Sequence, residues 1–165
     1  MSLPPKSPRE SMIEMREMVL PQHTNALNSV FGGVVMSWID LAAAMSAQKH
    51  CNRHVVTAHI GEISFLSSIK VGEHVLIKAS VNYVGRTSLI VGVRVESEDI
   101  LTQTIKVTTR AYLTFVALDL QGNPVQVPPL NPETEDEKRR FENAKKRVES
   151  MKELRSKIQK SSTTP

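Results

Sequence analysis

The chain has 165 residues, a net charge of +4, 40% apolar side chains and only 4% aromatic ones. That length supports one domain with a sizeable core and leaves little for a second, while the scarcity of aromatic rings argues against a stacking platform for single-stranded nucleic acid. A single cysteine, Cys51, excludes an internal disulfide framework and suits a reducing compartment.

The charge is unevenly placed. Residues 133–165 hold ten Lys/Arg and seven Asp/Glu, whereas residues 1–132 hold eleven and ten. A near-neutral body lacks the basic face expected of a nucleic-acid binder. No apolar leader follows Met1, and no apolar run reaches the roughly 18–20 residues of a membrane span. The expectation is a cytoplasmic protein with no membrane insertion and no nucleic-acid partner.

In chain order, residues 1–11 are rich in Pro and Ser and read as a flexible arm. Met12 to Leu20 reads as a strand stopped by Pro21, followed by a polar loop, Gln22 to Ser29, and then by Val30-Phe31-Gly32-Gly33. From Val34 to Ala47, 11 of 14 residues are apolar, the exceptions being Ser37, Asp40 and Ser46. The Ala, Met and Leu content and the length favour a helix. Being apolar on nearly every face, it should be buried on nearly every face. The period then changes to two. Val55–Phe65, Val75–Tyr83, Leu89–Val95 and Ile105–Leu118 read as strands, with turns at Val71-Gly72-Glu73 and Gly85-Arg86-Thr87. No helix separates these strands, so they should pair mainly antiparallel, and their apolar face has only the apolar helix to cover. The expected α+β domain, over residues 12–130, is an antiparallel sheet curled around one central helix. A second, charged helix is predicted over 131–160, with Asn131 as N-cap, Pro132 at the first helical position and a narrow apolar stripe through Phe141, Ala144, Val148, Met151, Leu154 and Ile158. Residues 161–165 read as a frayed tail.

Asp40 stands out chemically. A carboxylate inside an apolar helix is costly unless it is hydrogen-bonded; it is either a satisfied buried Asp or a catalytic base or nucleophile. Gly32-Gly33 lies at the helix N-terminus, where free amides and the helix dipole favour an oxyanion or carbonyl oxygen; a plain tight turn is the alternative. Asn25, in the polar loop, is either a turn former or a group that orients water or a carbonyl. Gly85-Arg86-Thr87-Ser88 combines a cation with hydroxyls suited to phosphate, or is an ordinary hairpin turn. His50, Cys51, His54 and His59 match no tight zinc template. No metal and no cofactor are expected.

As a combination, Asn25, Phe31-Gly32-Gly33, Met36-Ser37-Trp38-Ile39-Asp40, Val56-Thr57-Ala58, Ser64-Phe65, Lys70-Val71-Gly72-Glu73, Gly85-Arg86-Thr87-Ser88 and Pro132 to Lys138 resemble the acyl-CoA thioesterases of the hotdog superfamily. The nearest branch is the bacterial YciA-like and mammalian cytosolic acyl-CoA hydrolase group. The resemblance implies a hotdog fold and hydrolysis of acyl-CoA to a carboxylic acid and coenzyme A without a metal. It implies Asp40 as the catalytic carboxylate, Asn25 placing water or substrate, and the Gly32 and Gly33 amides polarising the thioester carbonyl. It further implies coenzyme A contacts from Gly85, Arg86, Thr87, Ser88, Ser64 and Phe65. The alternatives left open are a non-catalytic acyl-CoA-binding module and a hotdog-fold dehydratase or hydratase. Eight residues of helix span roughly 12 Å, so Asp40 cannot easily reach a carbonyl held at its own helix N-terminus. The family builds its sites at dimer interfaces, often in a trimer of dimers. A homodimer with shared active sites, within a hexamer, is therefore expected.

Overall fold

The computed structural model describes residues 3–161, and the side chains of residues 3–158. Five strands, β1 (Ile13–Met18), β2 (His54–Phe65), β3 (His74–Val84), β4 (Ser88–Asp99) and β5 (Thr104–Leu118), form one sheet in the order β1-β3-β4-β5-β2. Every pairing is antiparallel. Alternation decides the faces. Val75, Ile77, Ala79 and Val81 of β3, Leu89, Val91, Val93 and Val95 of β4, and Ala111, Leu113, Phe115 and Ala117 of β5 are all buried. They close on one helix, α1 (Gly32–Cys51), whose Val35, Trp38, Ile39, Ala42, Ala43 and Ala47 complete the core.

Helix α1 is longer than the apolar run suggests. It starts at Gly32 and ends on Asn52, which adopts the left-handed conformation (φ 52°) and donates its N–H to the Gln48 carbonyl at 2.7 Å. Asn tolerates that conformation at a helix end better than most residues. The helix is not covered on every side. Gly33, Met36, Ser37 and Leu41 are exposed along one stripe, with Asp40 half-buried among them, because the sheet wraps the remaining faces and none of the described residues covers this one.

The segment before β1 is better fixed than an arm. Pro8–Ser11 is a 3-10 turn with Pro8 and Ser11 buried. Lys6 forms a parallel bridge with Leu130, its N–H donating to the Pro129 carbonyl at 2.9 Å. Residues 6–11 are thus pinned to the 129–131 segment.

The second helix, α2, runs Glu135–Ser161 and begins later than expected. Asn131 and Pro132 precede it. Its cap is Thr134, whose hydroxyl accepts the Glu137 N–H at 3.2 Å while the Glu137 carboxylate accepts the Thr134 N–H at 2.9 Å. This is a capping box, a reciprocal pairing typically worth about 1 kcal/mol through the cap residue. Burial disfavours the Glu137 charge, yet the Thr134 and Glu133 backbone amides and nearby Arg9 hold its carboxyl below the usual carboxylate range. The helix lies on the outer sheet face: Phe141 packs on Tyr83 with ring centroids 5.2 Å apart, Ala144 is buried, and the Arg147 guanidinium sits 4.1 Å over the Tyr112 ring. The stripe docks through Met151, whereas Leu154 is exposed. Of the predicted tail, only residue 161 falls within the described residues, as the end of α2.

Candidate active site

Asp40 faces the uncovered side of α1. Its Oδ1 accepts a hydrogen bond from the Thr57 hydroxyl of β2 at 2.8 Å. The contact arises because Thr57 pairs with Phe115, an inward position, so its side chain points toward the helix rather than toward the outer face. Oδ2 has no hydrogen-bond partner among the described residues. Thr57 was absent from the predicted site. The inward set of this strand is Val55, Thr57, Ile60 and Ile63, broken by two register shifts, so no period in the sequence marks Thr57 as inward.

A second group assembles at the N-terminus of α1. Phe31 supplies no side-chain cap, so the Gly32 and Gly33 amides, being first-turn donors, keep no intrahelical partner. A Cβ on Gly33 would lie 2.6 Å from the Phe31 ring, and one on Gly32 would lie 3.6 Å from the Phe65 ring. A side chain at Gly33 would have to displace the exposed Phe31 ring, and Phe65 is packed over the helix start. Asn25 shapes the loop that leads there. Its Oδ1 accepts the N–H groups of Leu27 at 2.9 Å and Ser29 at 3.3 Å, and its own N–H donates to the Ser29 carbonyl at 2.8 Å. The side-chain oxygen thus serves the turn, and its amide nitrogen has no partner among the described residues. Beneath this helix start lies a cavity of about 330 Å³, bordered by Val30, Gly32, Val35, Phe65, Ile69 and Thr109 among others.

The Gly85–Ser88 turn joins β3 to β4, with the Gly85 N–H donating to the Ser88 carbonyl at 2.9 Å and the Val127 N–H donating to the Arg86 carbonyl at 3.0 Å. Arg86 is exposed. The register shows which predicted residues meet. Ser88 pairs with Val116 and Leu89 with Phe115, in line with Thr57, so the Arg86 turn lies at the Asp40 end of the sheet. Phe65 pairs with Thr109, six residues along β5, or about 20 Å away at strand spacing. Within one chain the candidates therefore form two groups: Asp40, Thr57 and Gly85–Ser88 at one end, and Asn25, Gly32, Gly33 and Phe65 at the other. Ser64 joins neither. It pairs with Arg110 on the outer face and donates to Glu62 at 3.4 Å.

Strand β2 is an edge of the sheet, pairing only with β5. It carries exposed Ile60 and Phe65 on the face turned toward α1, which itself exposes Met36 and Leu41. An edge strand of 12 residues with apolar neighbours invites another chain.

The remaining titratable candidates have structural partners. His50 is fully buried, and its Nε2 lies 3.0 Å from the Pro128 carbonyl. Burial, only partly offset by that bond, pushes its pKa below the usual imidazole value. Burial likewise raises the Cys51 thiol. Glu62, which is exposed, is held below its usual range by Arg147 at 2.8 Å. Among the described residues no three His, Cys, Asp or Glu side chains converge as metal ligands.

A family profile described as "Thioesterase superfamily" matches residues 27–103. An uncharacterized acyl-CoA thioester hydrolase, YkhA of Bacillus subtilis (strain 168), is 41% identical over 129 residues, covering 78% of this chain and 75% of that protein. The chain belongs to the thioesterase superfamily. Its sheet-around-helix architecture is accordingly the hotdog fold. The rat cytosolic acyl coenzyme A thioester hydrolase is 33% identical over 153 residues, 92% of this chain but 40% of that longer protein. Among solved structures, an apo-hexameric acyl-CoA thioesterase superposes with a TM-score of 0.89 at 41% identity, covering 92% of this chain and 97% of that one. An acyl-CoA hydrolase from Staphylococcus aureus, in complex with butyryl coenzyme A, coenzyme A and coenzyme A disulfide, superposes with a TM-score of 0.88 at 38% identity, covering 96% of each chain. Three variants of that hydrolase have alanine in place of an Asn, an Asp and a Thr, spaced 15 and 17 residues apart. Among the described residues of this thioesterase-superfamily chain, no helix is long and apolar enough to cross a membrane.

Proposed function

We propose that the protein hydrolyses acyl-CoA thioesters to a carboxylic acid and coenzyme A. The observation that carries this reading is the Asp40–Thr57 pair on the uncovered face of α1. Asn25, Asp40 and Thr57 are themselves spaced 15 and 17 residues apart, as are the three residues replaced in the Staphylococcus aureus hydrolase.

In this reading the Gly32 and Gly33 amides donate to the thioester carbonyl oxygen and to the oxyanion that develops on it. The Asn25 amide nitrogen holds the attacking water. Thr57 fixes Oδ1 of Asp40, leaving Oδ2 to take the proton as the water oxygen bonds to the carbonyl carbon. The intermediate then collapses, the carbon–sulfur bond breaks, and the coenzyme A thiolate leaves. Arg86, Thr87 and Ser88 bind the phosphates of coenzyme A.

The two groups of residues within one chain are too far apart to act on one thioester, so each site takes Asn25 and Gly32 from one subunit and Asp40, Thr57 and Arg86 from another. The exposed edge strand β2 supports this, since two such edges paired antiparallel would supply the arrangement. Such a pairing would turn the partner sheet end for end and bring the Asp40 end of one chain against the Gly32 end of the other. Hexamers known among the relatives support assembly beyond the dimer.

The test is steady-state release of free thiol from a series of acyl-CoAs. The protein's single, buried cysteine contributes little background. Asp40→Ala, with the fold confirmed by thermal melting, is expected to lose about 100-fold or more in kcat, the range for loss of an acid–base group. Turnover near wild type in that variant would refute the assignment.

A further inference from the structure

We infer that the distal end of α2 is a clasp for a second copy of this chain: it reaches past the β2 edge onto the partner's outer sheet face and sets Leu154 in the groove beside the partner's own α2. The inference rests on the β2-to-β2 pairing proposed above and not on the chemistry of the site.

The path of α2 fixes its reach. Phe141 packs on Tyr83 of β3, Arg147 lies over Tyr112 of β5 and bonds to Glu62 of β2, and Met151 faces the groove that β2 borders. Ten residues of helix rise about 15 Å, and β3 to β2 is three strand spacings, about 14 Å, so the helix runs across the strands. At Met151 it has reached the edge strand. Residues 152–161 carry it about another 15 Å beyond that edge. Every side chain from Lys152 to Ile158 is exposed.

This overhang keeps the apolar stripe of the docked part. Leu154 and Ile158 follow Met151 at three and seven residues, so they share its side of the helix, yet they are 58% and 55% exposed. A helix end meant for water needs neither. A partner sheet continuing from β2 supplies the floor, since about 15 Å spans roughly three more strands.

The receiving surface is on the same chain, as a two-fold interface demands. A groove of about 780 Å³ runs between α2 and the outer sheet face, bordered by His59, Glu62, Tyr112, Thr114 and Ser150 among others. It lies on the flank of α2 that carries Arg147 and Ser150, and Leu154 is on that same flank, because positions 147, 150 and 154 are three and four residues apart. A two-fold axis through the β2 edge on this flank sets two α2 helices antiparallel with these flanks facing, and Leu154 of each meets the groove of the other.

The experiment places the photocross-linker p-benzoylphenylalanine in place of Leu154 in the full chain, irradiates the purified protein, and maps the covalent dimer band from a denaturing gel by mass spectrometry. Adducts from position 154 to residues 59–62 or 112–114 are expected. Cross-linked protein that runs only as monomer, or dimer adducts confined to other surfaces, would overturn the inference. A second measurement uses sedimentation velocity. Leu154→Ser should raise the concentration at which monomer appears by about tenfold or more, from the apolar area of two leucines per dimer. Glu153→Ser, on the opposite side of the helix, should leave it unchanged, and equal effects from both or from neither would also count against the clasp. An assembled protein without these adducts removes this inference alone. A wild type that is monomeric at every concentration removes the β2 pairing as well, and thiol release from acyl-CoA tests the chemistry separately.

Discussion

Subunit sharing can be tested by mixing two inactive proteins. Asp40 is eight residues beyond Gly32 on α1, about 12 Å of helix rise, and the β5 register puts Thr57 and Phe65 about 20 Å apart. A carboxylate side chain cannot bridge either gap, so Asn25→Ala and Asp40→Ala should damage different subunits' contributions to one site. In a heterodimer of the two variants, one site then collects both lesions and the other collects neither. Random exchange makes half of the dimers mixed, so about a quarter of all sites should be intact, and mixed activity should recover to about a quarter of the wild-type value. The assay is thiol release before and after exchange, with a tagged-subunit pull-down to show that mixing occurred and size-exclusion chromatography to show that each variant keeps its assembly. Were both residues of one site drawn from the same chain, every site would carry a lesion. Activity would then stay at single-mutant level despite demonstrated exchange, and the shared site would have to be abandoned.

Thr57→Val removes the hydroxyl that fixes Asp40 and keeps the strand shape. About a tenfold loss of kcat with KM little changed is expected by steady-state kinetics, and an unaltered kcat would show that the bond does not position the carboxylate. Arg86→Ala should raise KM for acyl-CoA and leave kcat nearly intact, since a contact to the nucleotide end acts on ground state and transition state alike; a fall in kcat alone would contradict that role. His50 carries a pH prediction. Its folded-state pKa lies below the ordinary 6.5, mainly through burial, with Lys6 lowering it further and the Pro128 bond and Glu10 acting in the opposite sense. The unfolded chain therefore binds the proton first as pH falls. Its contribution to stability is complete above about pH 6.5 and is lost progressively below it. Melting temperature between pH 8 and pH 5 should fall more steeply in wild type than in His50→Phe, and parallel curves would refute the assignment.

Much of the fold was legible because the period of two in β3, β4 and β5 names the buried residues directly, and a chain with one apolar helix has one thing for that face to cover. The departures are local. Asn131-Pro132 looked like a helix start because Pro suits the first helical position, but Thr134 and Glu137 three residues apart satisfy two orphan amides reciprocally, and that closed pair decides the boundary. Residues 6–11 read as an arm from composition. Their anchor is a backbone bridge between Lys6 and Leu130, which side-chain identity cannot announce.

The site was legible as residue types and illegible as geometry. Asp40 and Gly32-Gly33 stood out because a carboxylate and a glycine pair are anomalies in an apolar helix. Thr57 did not, because a threonine in a strand is ordinary. Only the register, which turns it inward onto Asp40, gives it meaning. The expectation that α1 would be buried on nearly every face failed for a related reason. Apolar composition states how much surface a helix must lose to neighbours but not whose surface covers it. Five strands of one chain cover three sides and leave Met36, Asp40 and Leu41 beside the unpaired edge of β2. The side left open is the one that carries the carboxylate. A second chain laid along that edge would therefore bury the apolar remainder of the helix and bring the two halves of the chemistry together in the same step.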